Sequence, residues 1–419
     1  MKIEPYVKRV VHAWRGQRAI IAFLGSGCSS GLGPSEARSH RTKEAFVMQF
    51  VRMNNATRCA LRSALVATLW FAGSLVVDLC APCVRVGIAH EPPAAVPGET
   101  ASRDAVDWLG GSRLVRAAAE PARQHLERSD LFTRALSPFD RMSRLGQGSD
   151  PGEEAVRRFA GSQAIAWSDA DWKRLVAAAT SLRRRLEGLP GLPWPKEVLM
   201  IQTTGKEEGG AAYCRGAAVI LPVSVAGRPA ESLERLLAHE LFHVLSNQNP
   251  EWRRRVYSAI GFEPCPEIPL PDSLRDRKIT NPDGPLVDCR LELSIAGAAV
   301  HVAPVLLANA PYDATKGGSF FPYLTFRLIE IEPAGDGAWR VALRDGQPRL
   351  LDPQTTPAYF ERIGRNTKYI IHPDEILADN FTLLVFGAEK PTSPAVLGAL
   401  RERLGPVAED APRKTLPPK

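Results

Sequence analysis

Leu233, Leu236, Leu237, Leu241, Val244 and Leu245 recur at steps of three and four within A-E-S-L-E-R-L-L-A-H-E-L-F-H-V-L-S-N. That period lines one side of a helix. Pro229 suits its first turn and Glu231 the positive end of its dipole. Asn249-Pro250 should close it and start another helix, through Trp252, Val256 and Ile260 to Gly261. The stretch H-P-D-E-I-L-A-D-N-F-T-L-L-V-F-G from His372 repeats the pattern, with Ile376, Leu377, Leu383 and Leu384 as its apolar face. Pro373 marks its start and Gly387 its end. Upstream, Ala105 to about Leu145 predicts one or two helices, with Leu109, Leu114, Val115 and Ala118 on one side. A further helix is expected from Ala170 to Leu189, stopped by G-L-P-G-L-P-W-P.

Other segments read as strands. E-V-L-M-I-Q-T-T predicts one, and A-A-Y-C-R-G-A-A-V-I-L-P another, both just before the leucine-rich helix. Between the two patterned helices lie L-E-L-S-I, V-H-V-A-P-V-L-L, F-P-Y-L-T-F-R-L-I-E-I and W-R-V-A-L. Their alternation predicts a half-buried antiparallel sheet, and I-T-N-P-D-G-P from Ile279 a turn. The expected class is α+β, with a β-rich insertion between two helices.

Composition adds little: 44% hydrophobic and 24% charged residues are ordinary for a globular protein. The net charge of +7 is spread over clusters such as Arg183–Arg185 and Arg253–Arg255, read as solvated helix faces. No basic stripe interleaved with aromatics is present, so nucleic acid is not an expected partner.

The first hundred residues differ from the rest. Residues 1–52 mix Lys and Arg with the Gly/Ser run from Gly25 to Gly33. That run lacks the Lys-Ser/Thr ending of a phosphate-cradling loop, so it reads as a flexible upstream extension. Arg58 and Arg62 precede an apolar run from Ala64 to Val77, short for a membrane span but long enough for a signal-peptide core. Gly87-Ile88-Ala89 offers a cleavage position. Residues 53–89 are therefore expected to be a signal peptide begun at Met48 or Met53, or else an uncleaved anchor. A linker at 90–102, a catalytic body at 103–407 and a disordered tail at 408–419 follow. The expected destination is the periplasm or the exterior, with no stable span in the mature chain. Of seven cysteines, Cys28, Cys59, Cys80 and Cys83 fall in the removed region. Cys214, Cys265 and Cys289 remain, allowing at most one disulfide, Cys265–Cys289, and one free thiol.

The chemistry sits on the two patterned helices. His239, Glu240 and His243 spell H-E-x-x-H, which puts two imidazoles on one helix face with a glutamate able to reach a metal-bound water. With 8 histidines in the chain, chance supplies roughly 0.01 such matches. An unpaired histidine pair and glutamate also suit the middle of a leucine-rich helix poorly, because burying them so is costly. Zinc held by two histidines needs a third protein ligand and one open position. On the second helix Glu375 and Asp379 project from one side. Glu375 suits the third ligand, and Asp379 suits the carboxylate that holds the other ring nitrogen of His239.

H-E-L-F-H followed by E-I-L-A-D-N resembles the gluzincin metallopeptidases of the thermolysin and neprilysin type, whose pattern is H-E-x-x-H then E-x-x-[SA]-D. The resemblance covers the two motif helices, about thirty residues. It implies a zincin-like core binding one Zn2+ through His239, His243 and Glu375, with Glu240 as general base and Asp379 behind His239. It also implies an edge strand that pairs with an extended peptide substrate. Ala211, Ala212 and Tyr213 are the candidates for that edge.

A zinc-dependent hydrolase cleaving peptides or proteins is the expected function. Glu240 would take the proton of the attacking water and pass it to the leaving amine. Tyr369 and His372, just before the second helix, are candidate donors to the oxyanion. Two alternatives share every motif: an exported binding or scaffold domain with a structural or degenerate zinc site, and a metal-dependent hydrolase acting on other bonds.

Overall fold

In the computed structural model, which describes residues 104–405, the chain opens on strand rather than helix. β1 (Ala105–Asp107) and β2 (Arg113–Arg116) pair antiparallel. Gly110 and Gly111 between them have φ of 64° and 76°, left-handed values that break a helix. The helical expectation for Ala105–Ala118 is thus corrected: only a 3-10 turn at Leu109–Gly111 forms there, and α-helices start at α1 (Ala119–Leu126). α2 (Leu131–Ala135) and α3 (Pro138–Leu145) follow, each opened by a capping box, Asp130 with Thr133 and Ser137 with Asp140. Next come α4 (Glu153–Ser162), β3 (Ala164–Ile165) and α5 (Asp169–Leu186). The Ser168 side chain caps α5 by accepting from the Asp171 N–H.

The strand predicted over residues 211–222 is a hairpin. β5 (Tyr213–Arg215) turns at Gly216, φ 61°, into β6 (Ala218–Pro222). With β4 (Glu197–Thr203) these complete a sheet of order β1-β2-β4-β6-β5, in which β2, β4 and β6 run parallel and β5 is an edge. Helices α1 to α5 form the crossover from β2 to β4, as parallel neighbours require. Val198, Met200 and Ile201 of β4 and Val219 to Leu221 of β6 have no exposure.

After α6 (Val223–Ala226), α7 (Ala230–Gln248) packs on α5 and near the β5 edge. Every residue from Ser232 to Ser246 except Arg235 is buried, so α7 is sequestered nearly all round. α8 (Pro250–Tyr257) leads through Gly261 to β7 (Phe262–Pro264) and α9 (Asp272–Arg275). The second sheet then forms from β8 (Cys289–Ile295), β9 (Ala298–Ala308), β10 (Leu324–Gly335) and β11 (Ala338–Val341). Its order is β11-β10-β9-β8-β7, all antiparallel. β12 (Leu343–Arg344) and β13 (Gln347–Pro348) make a small hairpin, and β14 (Leu350–Leu351) pairs with β10. α10 (Pro357–Ile363), α11 (Pro373–Phe386) and α12 (Pro394–Leu404) close the fold.

The architecture mixes helices with two sheets, consistent with α+β. α11 lies on α7, with the Phe242 ring 5.5 Å from Phe381 and 5.3 Å from Trp252. Cys214, Cys265 and Cys289 are free thiols. Pro264, not Cys265, is the register partner of Cys289, so the two cysteines face opposite sides of the sheet. They pack accordingly in different clusters, and the expected Cys265–Cys289 bridge does not form. In the arginine clusters Arg184, Arg185 and Arg254 are exposed as expected, while Arg185 also reaches Glu234 at 2.8 Å and Arg253 reaches Asp288 at 3.0 Å. Among the described residues no helix is long and apolar enough to cross a membrane. The extension at 1–52, the signal-like segment 53–89, the linker 90–102, the tail at 408–419 and the first four cysteines lie outside the described residues.

Candidate metal centre

Helix α7 carries His239, Glu240 and His243; α11 carries Asp374, Glu375 and Asp379, and their packing brings the two sets together. Glu375 Oε2 lies 3.1 Å from His239 Nε2 and 3.4 Å from His243 Nε2. An ion with bonds of about 2.0–2.1 Å holds tetrahedral donors roughly 3.3–3.4 Å apart. The three donor atoms all lie within 4.8 Å of one another, on side chains at most 7% exposed. These residues are brought together across 136 sequence positions.

A ring of acceptors holds the donors. His239 Nδ1 meets Asp379 Oδ1 at 3.0 Å, and the Thr367 hydroxyl donates to the other Asp379 oxygen. His243 Nδ1 meets Asp374 Oδ2 at 2.6 Å. The second Asp374 oxygen accepts from the Ser246 hydroxyl and, at 3.0 Å, from the Tyr257 hydroxyl. Asn281 Nδ2 donates to Glu375 Oε1 at 2.7 Å. Asp374 has no assignment in the sequence pattern. The signal that could have found it is arithmetic: two ligating histidines each need their second nitrogen held, and only one acid had been assigned.

The electrostatics are those of acids gathered around a cation. Burial opposes a charged imidazole at His239, yet Asp379 and Glu375 outweigh it and hold the ring's pKa up at about 10. His243 is also raised well above its ordinary value, burial being overcome by Asp283, Glu375 and Asp374. Burial pushes Glu375 up, but His243 and His239 hold it far below the usual carboxylate range. Glu240 is raised by burial and Glu375 against the pull of both histidines. Protons on the two rings thus supply positive charge that a divalent ion would replace, releasing them on binding. Two buried atoms, Glu240 Oε2 and His243 Nε2, have no hydrogen-bond partner. They are two of nine such atoms among the described residues, and both belong to the H-E-x-x-H motif. The donor set therefore fits a metal ion in chemistry and spacing.

The remaining sequence candidates fall in different places. Tyr369 is half-buried and stacks on His239, ring centroids 6.1 Å apart. His372 caps α11: its Nδ1 accepts from the Asp374 N–H at 3.2 Å, and its Nε2 faces the Cys289 thiol at 4.0 Å. Both ring nitrogens are thereby engaged in support of the helix start. Ala211 and Ala212 lead into β5, which begins at Tyr213 and is the edge of its sheet. The outward N–H of that edge, on Cys214, donates to Asp283 Oδ1 at 2.7 Å. Asp283 lies in the turn predicted from Ile279, and its donor atom falls within 4.8 Å of those of Glu240 and His243. Burial raises the Asp283 carboxyl well above its ordinary pKa; His243 opposes this while Glu375 and Glu240 add to it. Nothing in spacing or periodicity marks Asp283 or Asn281. Asp288, Cys289 and His372 form a further group, but there Arg253 already supplies the positive charge.

No family model matches the chain, and no curated protein or solved structure matches it either.

Proposed function

We propose that the protein is a zinc-dependent hydrolase, a metallopeptidase whose ion is held by His239, His243 and Glu375. The observation that carries this reading is the unpartnered Glu240 Oε2, buried beside the three converging donors. A structural site has no use for a free carboxylate oxygen there, whereas a hydrolase needs a base at that atom. Bound zinc would supply Lewis acidity to a scissile carbonyl and to the attacking water. Glu240 takes the proton of that water and passes it to the leaving amine nitrogen. Burial raises its affinity for a proton, which suits that shuttle. Asp379 and Asp374 fix the rings of His239 and His243, so no reorientation is needed during reaction. Tyr369, stacked on His239, is the favoured donor to the developing oxyanion. His372 is assigned to holding the start of α11.

Glu240→Gln should keep the metal and lower hydrolysis of a generic peptide by about 10²–10⁴-fold. Undiminished turnover in that variant would remove Glu240 from the mechanism. Turnover should also be lost to a chelator and restored by zinc. The second reading, an exported non-catalytic domain with a structural ion, draws on one observation: Asp283 stands within 4.8 Å of the Glu240 and His243 donor atoms. A metal-loaded protein without turnover on any peptide would favour it.

A further inference from the structure

We infer that Tyr257 and Ser246 are positioning residues for the ion site, acting through Asp374 on His243. The inference rests on the metal reading above but not on the peptidase one. Asp374 is 1% exposed, as are His243, Ser246 and Tyr257, so its partners must come from the protein. A carboxylate offers about four acceptor positions. At Asp374 three are filled: Oδ2 meets His243 Nδ1 at 2.6 Å, and Oδ1 accepts from the Ser246 hydroxyl and, at 3.0 Å, from the Tyr257 hydroxyl.

Three helices meet at this carboxylate. Ser246 lies on α7, Tyr257 ends α8, and Asp374 sits in the first turn of α11. Its plane is therefore fixed by side chains of two helices other than its own. That plane in turn sets the His243 ring, whose Nε2 lies 3.4 Å from Glu375 Oε2. If the carboxylate turns, the ring follows and Nε2 leaves the point where the donors converge.

Neither hydroxyl is explained by its own neighbourhood. A serine inside a helix can bond the carbonyl one turn back, yet Ser246 directs its hydroxyl across the helix interface to a residue 128 positions away. The Tyr257 ring packs 5.8 Å from the Arg253 guanidinium and 6.3 Å from the His372 ring, contacts that a phenylalanine would also make. Its hydroxyl goes to Asp374, 117 positions away. The acid behind the other imidazole is served differently. Asp379 accepts from the Thr367 hydroxyl, but its side chain is 36% exposed, so water can replace a lost donor there. Asp374 has no such substitute.

The test titrates the whole protein with zinc and records the visible spectrum of its cobalt(II) form, which reports coordination. Tyr257→Phe should weaken zinc binding about threefold, and Tyr257→Phe with Ser246→Ala about tenfold or more, with displaced cobalt bands. In an Asp374→Ala background the same pair should add less than about twofold, because the path to His243 is already cut. Thr367→Val should cost less than about twofold. Unchanged affinity and bands in the pair, or an equal loss with and without the Asp374 carboxylate, overturns the inference. So does a loss at Thr367→Val as large as that of the pair, since burial would then not set the effect. Tyr257→Phe removes a single oxygen and keeps the test decisive if the double variant does not fold. Failure of the wild type to take up one zinc overturns the metal centre and this inference with it. Uptake without peptide turnover sinks the peptidase reading alone, and the affinity comparison still decides the role of Tyr257 and Ser246.

Discussion

Two buried charge clusters lie on either side of the turn at Asn281, and they are built on opposite principles. In one, Arg144 donates to Asp140 at 2.6 Å, to both Glu208 oxygens at 2.7 and 2.9 Å, and to the Thr280 carbonyl at 3.0 Å. Asp140 further accepts from the Ser137 and Thr280 N–H groups, so each polar atom is matched and the chain supplies its own cation. In the other, Glu240, Asp283, Asp374, Glu375 and Asp379 surround two histidines, and two atoms are left orphaned. The first cluster is complete as folded. The second gathers five acids around two histidines and leaves two atoms unmatched, and that mismatch, more than the motif letters, marks it as a place that could hold an ion.

The contrast can be broken from either side. Arg144→Met should cost about 3–5 kcal/mol in urea unfolding, because it strands two buried acids. A change under about 1 kcal/mol would show that cluster to be ordinary polar packing. Glu375→Ala should destabilise the metal-free protein, since it strands two buried histidines and the Asn281 amide. It should also weaken zinc binding by about 3 kcal/mol, or more than a hundredfold, in calorimetric titration. Unchanged zinc affinity would sever Glu375 from the ion.

Glu207, beside the complete cluster, supplies a pH test. Burial outweighs its hydrogen bond from Thr203 and lifts its carboxyl to about 7 from an ordinary 4.5, and its Oε2 has no partner. Between those values the folded chain keeps a proton that the unfolded chain releases, so its contribution to stability falls as pH rises through that window. Glu207→Gln should therefore stabilise the protein by up to about 3 kcal/mol at pH 8 and by little at pH 4. Equal gains at both values would mean that the carboxyl does not titrate in that range. Smallest is Asp374→Ala, expected to lower zinc affinity about 10–100-fold by freeing the His243 ring; an unaltered affinity would leave Asp374 with helix capping alone.

Much of this was legible from the chain. The leucine period and the Pro and Gly punctuation delimited α7 and α11 to within a residue or two, and alternation disclosed the second sheet. Local pattern misled where two glycines impose a strand turn, at Gly110-Gly111, and where Gly216 folds one apparent strand into a hairpin. Asp374 was hidden because an acid in a first helical turn already has a local explanation. Asp283 and Asn281 were hidden for a different reason. A turn residue announces a bend, not what the bend is laid upon, and only the docking of β5, α7 and α11 supplies that.

The arrangement of the donors along the chain also bears on its biosynthesis. His239 and Glu375 stand 136 positions apart, with the whole second sheet between them. A growing chain therefore displays two histidines long before it owns a third ligand, and the intervening strands must be made before α11 can dock. The constellation is therefore completed only when α11 docks on α7, after every strand of the second sheet has been made.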